Sequence, residues 1–409
     1  MDVSPVGMER SAPEAVWPPG FLDPDAVLDL HLLKGFVTDD LMSMEDVRTT
    51  LAAVGPLSQV GPNLRVAVDG GYRQDVRQKL IDSEPPDGNR WLEHWAEGLF
   101  GDQPFYVVVN ELEVFNPVLV RRIARLLWPL VEAHSGWFGG LSMALLMGRD
   151  GYTSFGVHRD PDCRWNLQFH VGPSSKTTLV WADGTLDDST SAERLAVDPL
   201  LPKAAAFELA PGDLFVLPCR RMHAARYDDL AVTLVASMKV ESERSLAEAA
   251  FHRLLDANGD RKGAGPLPLG RSLLGANPML DPGLDGEGLA SAMESERLRR
   301  WSNLGMIARK AGRLPAIPEI LGLTFVISDP FPVCARVLAD GRRWIAARGH
   351  TLTLAGDDDV DSLVERLNAG ERVRAGGDLA PRALLLLAFL IGHQAVHEAG
   401  TERVSGSEP

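Results

Sequence analysis

Read for the spacing of its apolar residues, the chain divides into three stretches of different period. From Phe21 to about Leu130 apolar positions recur mainly at helical intervals. Asp39 and Asp40 can start a helix that runs through Met44 and Val47, and Asn116-Pro117 can start one that holds Ile123, Leu127 and Leu130. The continuous apolar run at 105–109 breaks this pattern and predicts a buried strand. Residues 1–20, rich in proline and small side chains, read as a loose tail.

The middle of the chain changes period. Short strand-like runs occupy 141–147, 165–171, 177–181, 205–209, 214–217 and 231–239. Most are separated by glycine- or proline-bearing turns, including Gly172-Pro173 and Pro211-Gly212. Many short strands with frequent turns predict an antiparallel sandwich or barrel. Beyond Val240 helical spacing returns. Ser245 and Glu248 have the spacing of a capping box that opens a helix through Leu255. A connector rich in glycine and proline, 257–288, precedes a long helix predicted over 289–310, closed by Gly312 and Pro315. The last hundred residues mix helices at 361–368 and 381–397 with two hairpin-like strands around Asp340-Gly341.

Composition narrows the class. A chain of 409 residues with 45% hydrophobic content describes a soluble globular protein of two or three domains. A formal charge of -15 argues against a generic nucleic-acid binder. Cys163, Cys219 and Cys334 are widely separated and form no Cys-x-x-Cys pair, which excludes a disulfide-rich scaffold and a thiolate zinc site and suits a reducing compartment. The first twenty residues lack the pattern of a signal peptide, and the longest apolar run, 383–391, is about half of the roughly 20 residues that span a bilayer. The expectation is a cytoplasmic protein with no membrane segment.

The candidate chemistry lies in the strand-rich middle. His158 and Asp160 stand two residues apart, so on a strand both project from one face and can reach one ion. A lone His-x-Asp is a weak signal, since about one such triplet is expected by chance in a chain with ten histidines. The downstream run from Pro211-Gly212-Asp213 to Pro218 and His223 supplies a third ligand. Two histidines and a carboxylate on one side of an octahedron are the facial triad of non-haem Fe(II) oxygenases.

With these residues in view, 141–240 resembles the double-stranded β-helix core of the JmjC-type, cupin-like 2-oxoglutarate oxygenases. The matching elements are HRDP at 158–161, a glycine-then-lysine turn at 172–176, LAPGDLFVLP at 209–218, His223 and AVTLVASMK at 231–239. The resemblance implies an α+β chain with a jelly-roll core and N-terminal helices at 21–240, a helical dimerisation segment at 241–312 and a C-terminal winged-helix-like domain at 313–409. It further implies Fe(II), 2-oxoglutarate and O2, a protein or peptide substrate (a ribosomal protein or a peptide natural-product precursor), and a homodimer. Many oxygenases of this fold place an arginine about ten residues past the distal histidine; Thr233 stands there in this chain. The resemblance then points to Lys176 as the partner of the distal carboxylate of 2-oxoglutarate, provided that two or three residues are inserted around Gly172–Ser175. Asn166, Ser237 and Thr233 correspond loosely to polar positions near the keto-acid end.

Two other readings stay open at this point: a metal-cupin enzyme that does not use 2-oxoglutarate, and a non-catalytic peptide- or nucleic-acid-binding protein on a cupin scaffold. Weaker signals read as structural. His393 and His397 have one-turn helical spacing but no catalytic glutamate between them. The run from Asp256 to Asp260 lacks the glycine and glutamate of a calcium loop. Asp357–Asp359 precede a helix and meet its dipole. His170 divides between a structural and a substrate-facing role.

Overall fold

The computed structural model describes residues 17–18, 20–23, 29–57, 63–153, 155–160, 163–184, 195–257, 286–308 and 312–400. The chain divides at Val240/Glu241 into two compact units. The first unit holds β1 (His31–Leu33), α1 (Met44–Leu57), β2 (Leu64–Val68), β3 (Gly71–Tyr72), α2 (Gln74–Asp82), α3 (Trp91–Phe100), β4 (Phe105–Asn110), α4 (Leu112–Phe115) and α5 (Pro117–Ala133). Its strand-rich half follows: β5 (Phe138–Arg149), β6 (Gly151–Tyr152), β7 (Cys163–Pro173), β8 (Lys176–Trp181), β9 (Ala204–Leu209), β10 (Leu214–Pro218), β11 (His223–Tyr227) and β12 (Ala231–Val240).

These strands form an eight-stranded antiparallel sheet, ordered β1-β10-β7-β12-β5-β4-β2-β3, and a four-stranded one, ordered β6-β11-β8-β9. The mixed α/β architecture with large antiparallel sheets agrees with the jelly-roll expectation. Alternation along the strands sets the two faces of the large sheet. On β7, Trp165, Leu167 and Phe169 point one way and are fully buried, while Asn166, Gln168 and His170 point the other. On β12, Leu234, Ala236 and Met238 share the apolar face, and Thr233, Val235 and Ser237 share the opposite one. His134, the residue that ends α5, meets Trp165 edge-on at 4.6 Å on the apolar side.

Register then lines up three rows on the polar face. One runs Arg65, Val108, Leu146, Thr233, His170 across five strands. The next runs Asn110, Ala144, Val235, Gln168, and the third Ser142, Ser237, Asn166.

Several local expectations need correction. β2 and β3 lie in the stretch read as helical. The first long helix starts at Met44, with Ser43 Oγ accepting from Asp46 N at 3.3 Å, rather than at Asp39-Asp40. Asn116 does cap α5, its side chain accepting from Leu119 N at 3.0 Å. Cys163 and Cys219 are joined in a disulfide, Cα atoms 5.7 Å apart. Distance in sequence misled here: the antiparallel register of β10 on β7 sets Pro218 opposite Trp165 and carries the neighbouring cysteines together.

The second unit contains α6 (Glu243–Ala257), α7 (Gly286–Trp301), α8 (Ile317–Ile320), β13 (Thr324–Ile327), β14 (Cys334–Val337), β15 (Arg343–Ala347), β16 (His350–Leu354), α9 (Asp358–Asn368), β17 (Val373–Arg374), α10 (Pro381–Gly392) and β18 (Val396–Glu398). Two three-stranded antiparallel sheets, β17-β13-β18 and β14-β15-β16, accompany the helices. α6 begins at Glu243, two residues before the capping box read at Ser245, with Ser242 Oγ accepting from Ser245 N at 3.3 Å. α7 stops at Trp301, well short of 310, because Leu304 and Gly305 turn to positive φ. α10 likewise ends at Gly392, as Gln394 takes φ 57° and the chain re-enters a sheet. His397 is therefore on β18, while His393 stacks on His350 at 4.0 Å, so the two share no helix face. Asp357 caps α9 by accepting from Val360 N at 3.0 Å, as its position before a helix predicts. The calcium-like sequence at 256–260 lies partly outside the described residues. No helix among the described residues is long and apolar enough to cross a membrane.

Candidate metal centre and its cavity

Between β6 and β7 the chain crosses to β11, where His158 pairs with His223 in an isolated antiparallel bridge. Two backbone hydrogen bonds close it: His158 N to His223 O at 3.0 Å and His223 N to His158 O at 2.9 Å. This bridge sets the two imidazoles side by side, ring centroids 4.3 Å apart. Each Nδ1 lies 3.1 Å from a backbone carbonyl two residues earlier, Gly156 O for His158 and Arg221 O for His223. A carbonyl can only accept, so both Nδ1 atoms donate and both neutral rings present Nε2 as the lone-pair atom.

Asp160 completes the group. Its carboxylate lies 3.7 Å from His158 Nε2 and 3.3 Å from His223 Nε2, and one ligand atom from each of the three falls within 4.8 Å of the others. It is the one cluster of its kind among the described residues. Burial alone would raise the Asp160 carboxyl; His223, His158 and an Asn166 hydrogen bond outweigh it and hold the group below the usual carboxylate range. For His223 burial works against protonation, and the facing Asp160 carboxylate more than reverses this.

A polar relay behind the carboxylate fixes its orientation. Ser237 Oγ donates to Asn166 Oδ1, and Asn166 Nδ2 donates to Asp160 Oδ2. The row Ser142–Ser237–Asn166 therefore ends on a ligand of the centre. Two imidazole nitrogens and a carboxylate, oriented from behind and converging on one point, fit a divalent ion held at about 2.1 Å from each.

The triad opens on a cavity of about 170 Å³ lined from both sheets. On one wall Lys176 is 2% exposed, and its Nζ donates to Gln168 Oε1 at 2.9 Å. Thr178 Oγ1 donates to the same oxygen at 3.1 Å. Among the described residues no carboxylate pairs with Lys176, and burial pushes its pKa down to about 7. A buried ammonium held only by an amide oxygen has room for an incoming anion.

No family model and no curated protein matches the chain. Solved structures do. An X-ray structure of E. coli ycfD matches at 15% identity over 93% of this chain and 97% of that one, with a TM-score of 0.53. The chain shares the fold of ycfD. A further E. coli structure, YcfD described as a ribosomal oxygenase in complex with cobalt and 2-oxoglutarate, matches at 15% identity over 91% and 95% of the two chains, with a TM-score of 0.48. The likeness to ycfD spans most of the chain at low identity and is a likeness of fold.

Of the residues singled out from sequence, His158, Asp160, His223, Lys176, Asn166 and Ser237 all line the cavity. Asn166 and Ser237 hold the Asp160 carboxylate, where a contact to the keto acid was expected. Thr233 needs correction. It lies on the cavity-facing side of β12, but its hydroxyl lies 3.0 Å from His170 Nδ1 and it does not reach the cavity wall. His170, fully buried and also bonded to Ser174 O at 2.8 Å, takes the structural role. Asp213 of the Pro-Gly-Asp turn is a pin rather than a ligand. It accepts from Ala210 N and Gly35 N and pairs with Lys34 at 2.8 Å. Sequence reasoning missed Gln168, although it lies two residues past Asn166 on one strand and so on the same face. Arg65 was missed because β2 was not foreseen; Tyr106 lies on β4, the strand read at 105–109, but was not singled out there.

Proposed function

We propose that this protein is an Fe(II)- and 2-oxoglutarate-dependent hydroxylase that acts on a side chain of a protein or peptide. The observation that carries the proposal is the pairing of the His158–Asp160–His223 cluster with the buried Lys176 on the wall of the same small cavity. When bound, the iron would supply the oxidative chemistry that couples decarboxylation of the keto acid to hydroxylation of a C–H bond.

The chain's own residues do the rest. His158, Asp160 and His223 would hold the ion, and the Gly156 and Arg221 carbonyls keep the two Nε2 atoms presented. Asn166 and Ser237 keep the carboxylate from rotating. Lys176 would take the distal carboxylate of 2-oxoglutarate, which supplies the negative charge its site lacks. At about 170 Å³ the cavity falls below the roughly 300 Å³ of drug-sized pockets and suits a small dicarboxylate. The resemblance noted in the sequence also supports a homodimer through 241–312 and a winged-helix-like unit from 313; a monomeric mass in light scattering would overturn the first of these.

The test is succinate release from 2-oxoglutarate by the purified protein. Release that requires Fe(II) and vanishes in His158→Ala supports the reading. Turnover of a substrate with metal but without keto acid would place the protein among other metal-cupin enzymes.

A further inference from the structure

The Cys163–Cys219 disulfide stands where the chain leaves the large sheet for the metal centre. Cys163 opens β7, three residues after Asp160, and Cys219 follows the end of β10, four residues before His223. The bridge therefore ties together the two arms of chain that carry those ligands. Pairing of the strands does not depend on it. Five residue pairs already register β10 on β7, and Cys219 N donates to Arg164 O at 3.0 Å beyond them. Disulfides commonly substitute for a core in small domains, whereas this unit runs from Ala12 to Val240 around an extensive one.

A direct contact joins the bridge to the ligand set. Cys163 Sγ lies 3.9 Å from Asn166 Oδ1, the oxygen that accepts from Ser237, and Asn166 Nδ2 donates to Asp160. Within the disulfide this sulfur has no proton to give. Reduction places one there and so sets a second donor on an oxygen that Ser237 already uses. The two sulfurs must also part, from a shared bond to nonbonded contact. Cys219 is fully buried, so the displacement falls on half-buried Cys163, at the start of the strand that carries Asn166.

Resting on the metal centre of the function proposed above, we propose that this bridge is a redox control on ion binding. Closed, it holds the arms of Asp160 and His223 in place. Opened by a dithiol reductant, it releases them and disturbs the Asn166 amide, and affinity for the ion falls about tenfold.

The exchange runs through the more accessible sulfur. A thiolate of the dithiol attacks Cys163 Sγ and forms a mixed disulfide, while Cys219 Sγ leaves with the bonding pair and takes up a proton. The second thiol of the reductant then closes it as a cyclic disulfide and frees the Cys163 thiol. Two electrons and two protons pass from the dithiol to the bridge. Cys163 and Cys219 are the two cysteines of the unit, so the opened pair has no rival partner there and re-forms on oxidation. Linkage makes the coupling reciprocal: a bound ion resists reduction by the same factor, and tenfold in a two-electron couple is about 30 mV.

The test titrates the full chain with Mn(II), an ion that favours oxygen and imidazole ligands over thiolates, and reads free Mn(II) by electron paramagnetic resonance. Oxidised protein is compared with protein reduced by a dithiol that is then removed without air. The expected result is about tenfold weaker binding after reduction, restored by reoxidation, with circular dichroism unchanged. The double variant Cys163→Ser, Cys219→Ser should bind like the reduced protein and ignore the dithiol. In dithiol redox buffers, saturating Mn(II) should move the midpoint of the bridge about 30 mV more negative, read by thiol labelling and mass spectrometry. Equal affinity in the two states, a serine pair that still responds to dithiol, a midpoint indifferent to Mn(II), or unfolding on reduction would each overturn the inference. Failure of the oxidised protein to bind Mn(II) at all would instead overturn the metal centre beneath it.

Discussion

Asp160 and Glu296 are both acids set among basic groups inside the fold, yet they are built for opposite ends. Glu296 on α7 has a fully buried side chain, and its two oxygens meet three arginines: Arg299 at 2.6 Å, Arg253 at 2.7 Å and Arg300 at 3.1 Å. Burial would raise its pKa, and the guanidinium partners reverse this. All of those partners are permanently charged, so the cluster is complete without a ligand. Around Asp160 the partners are two imidazoles and one amide, groups that can give a lone pair or orient a carboxylate but do not neutralise it at every pH. The contrast teaches how to read a buried acid: fixed cations mark structure, and titratable nitrogens aimed at the same point mark a place for an ion.

The sharpest break between the two clusters comes from deleting a single member of each. His223→Ala should abolish Fe(II)-dependent succinate release and leave the secondary structure intact by circular dichroism. Glu296→Ala should do the reverse. Removing the acid strands three arginines and costs about 3–5 kcal/mol in denaturant unfolding. Should Glu296→Ala prove neutral in stability, the distinction between a completed and an uncompleted cluster would fail.

Lys176 sharpens the comparison, since it is a buried charge whose complement is to come from outside. Lys176→Met should weaken 2-oxoglutarate binding by about tenfold to a hundredfold, the loss of one charge-assisted pair. Its pKa of about 7 in the free protein lies below the ordinary lysine value, and a bound carboxylate raises it. If Lys176 holds 2-oxoglutarate as proposed, affinity should be highest well below pH 7 and fall as pH rises through that value. The nearby His170, held down to about 4 by burial and by Lys176, stays neutral across this range and adds no slope. Calorimetric titrations between pH 6 and pH 9 should show the fall in the wild type and a flat profile in Lys176→Met.

Smaller effects lie in the supports. Asn166→Ala removes the hydrogen bond that orients Asp160 and should weaken metal binding by about 10–100-fold, measured by competition with a chelator. The Cys163–Cys219 bridge closes a separation of 56 residues, and replacing both by serine should lower stability by about 2–4 kcal/mol. An unchanged denaturation midpoint would show that the bridge adds nothing.

What the sequence made legible follows from how strongly local pattern constrains each element. Strands such as β7 and β12 alternate apolar and polar residues between clear turns, and their positions were readable to within a few residues. β2, Leu-Arg-Val-Ala-Val, is short and flanked by helices, so helical spacing around it hid the period of two. β11 carries His223 but reads His-Ala-Ala-Arg-Tyr, with no β-branched residue to announce a strand. α10 was read too long because Ala395 and Val396 resume apolar character after Gly392-His393-Gln394, and the positive φ of Gln394 ends the helix before them. In the centre, the ligands were visible because His-x-Asp sets two of them close in sequence, although His158 sits in an isolated bridge and Asp160 just beyond it rather than together on a strand. Their supports were not, since the Ser237–Asn166–Asp160 relay depends on register between β12 and β7, which no local spacing encodes.

The account is tested most directly by anaerobic titration of the purified protein with Fe(II) and 2-oxoglutarate, followed by visible absorption. It predicts one iron per chain and a charge-transfer band that needs both components, absent in Asp160→Ala and displaced to higher 2-oxoglutarate concentration in Lys176→Met. Iron that binds without any band on addition of the keto acid, or a band that survives loss of Asp160, would contradict it.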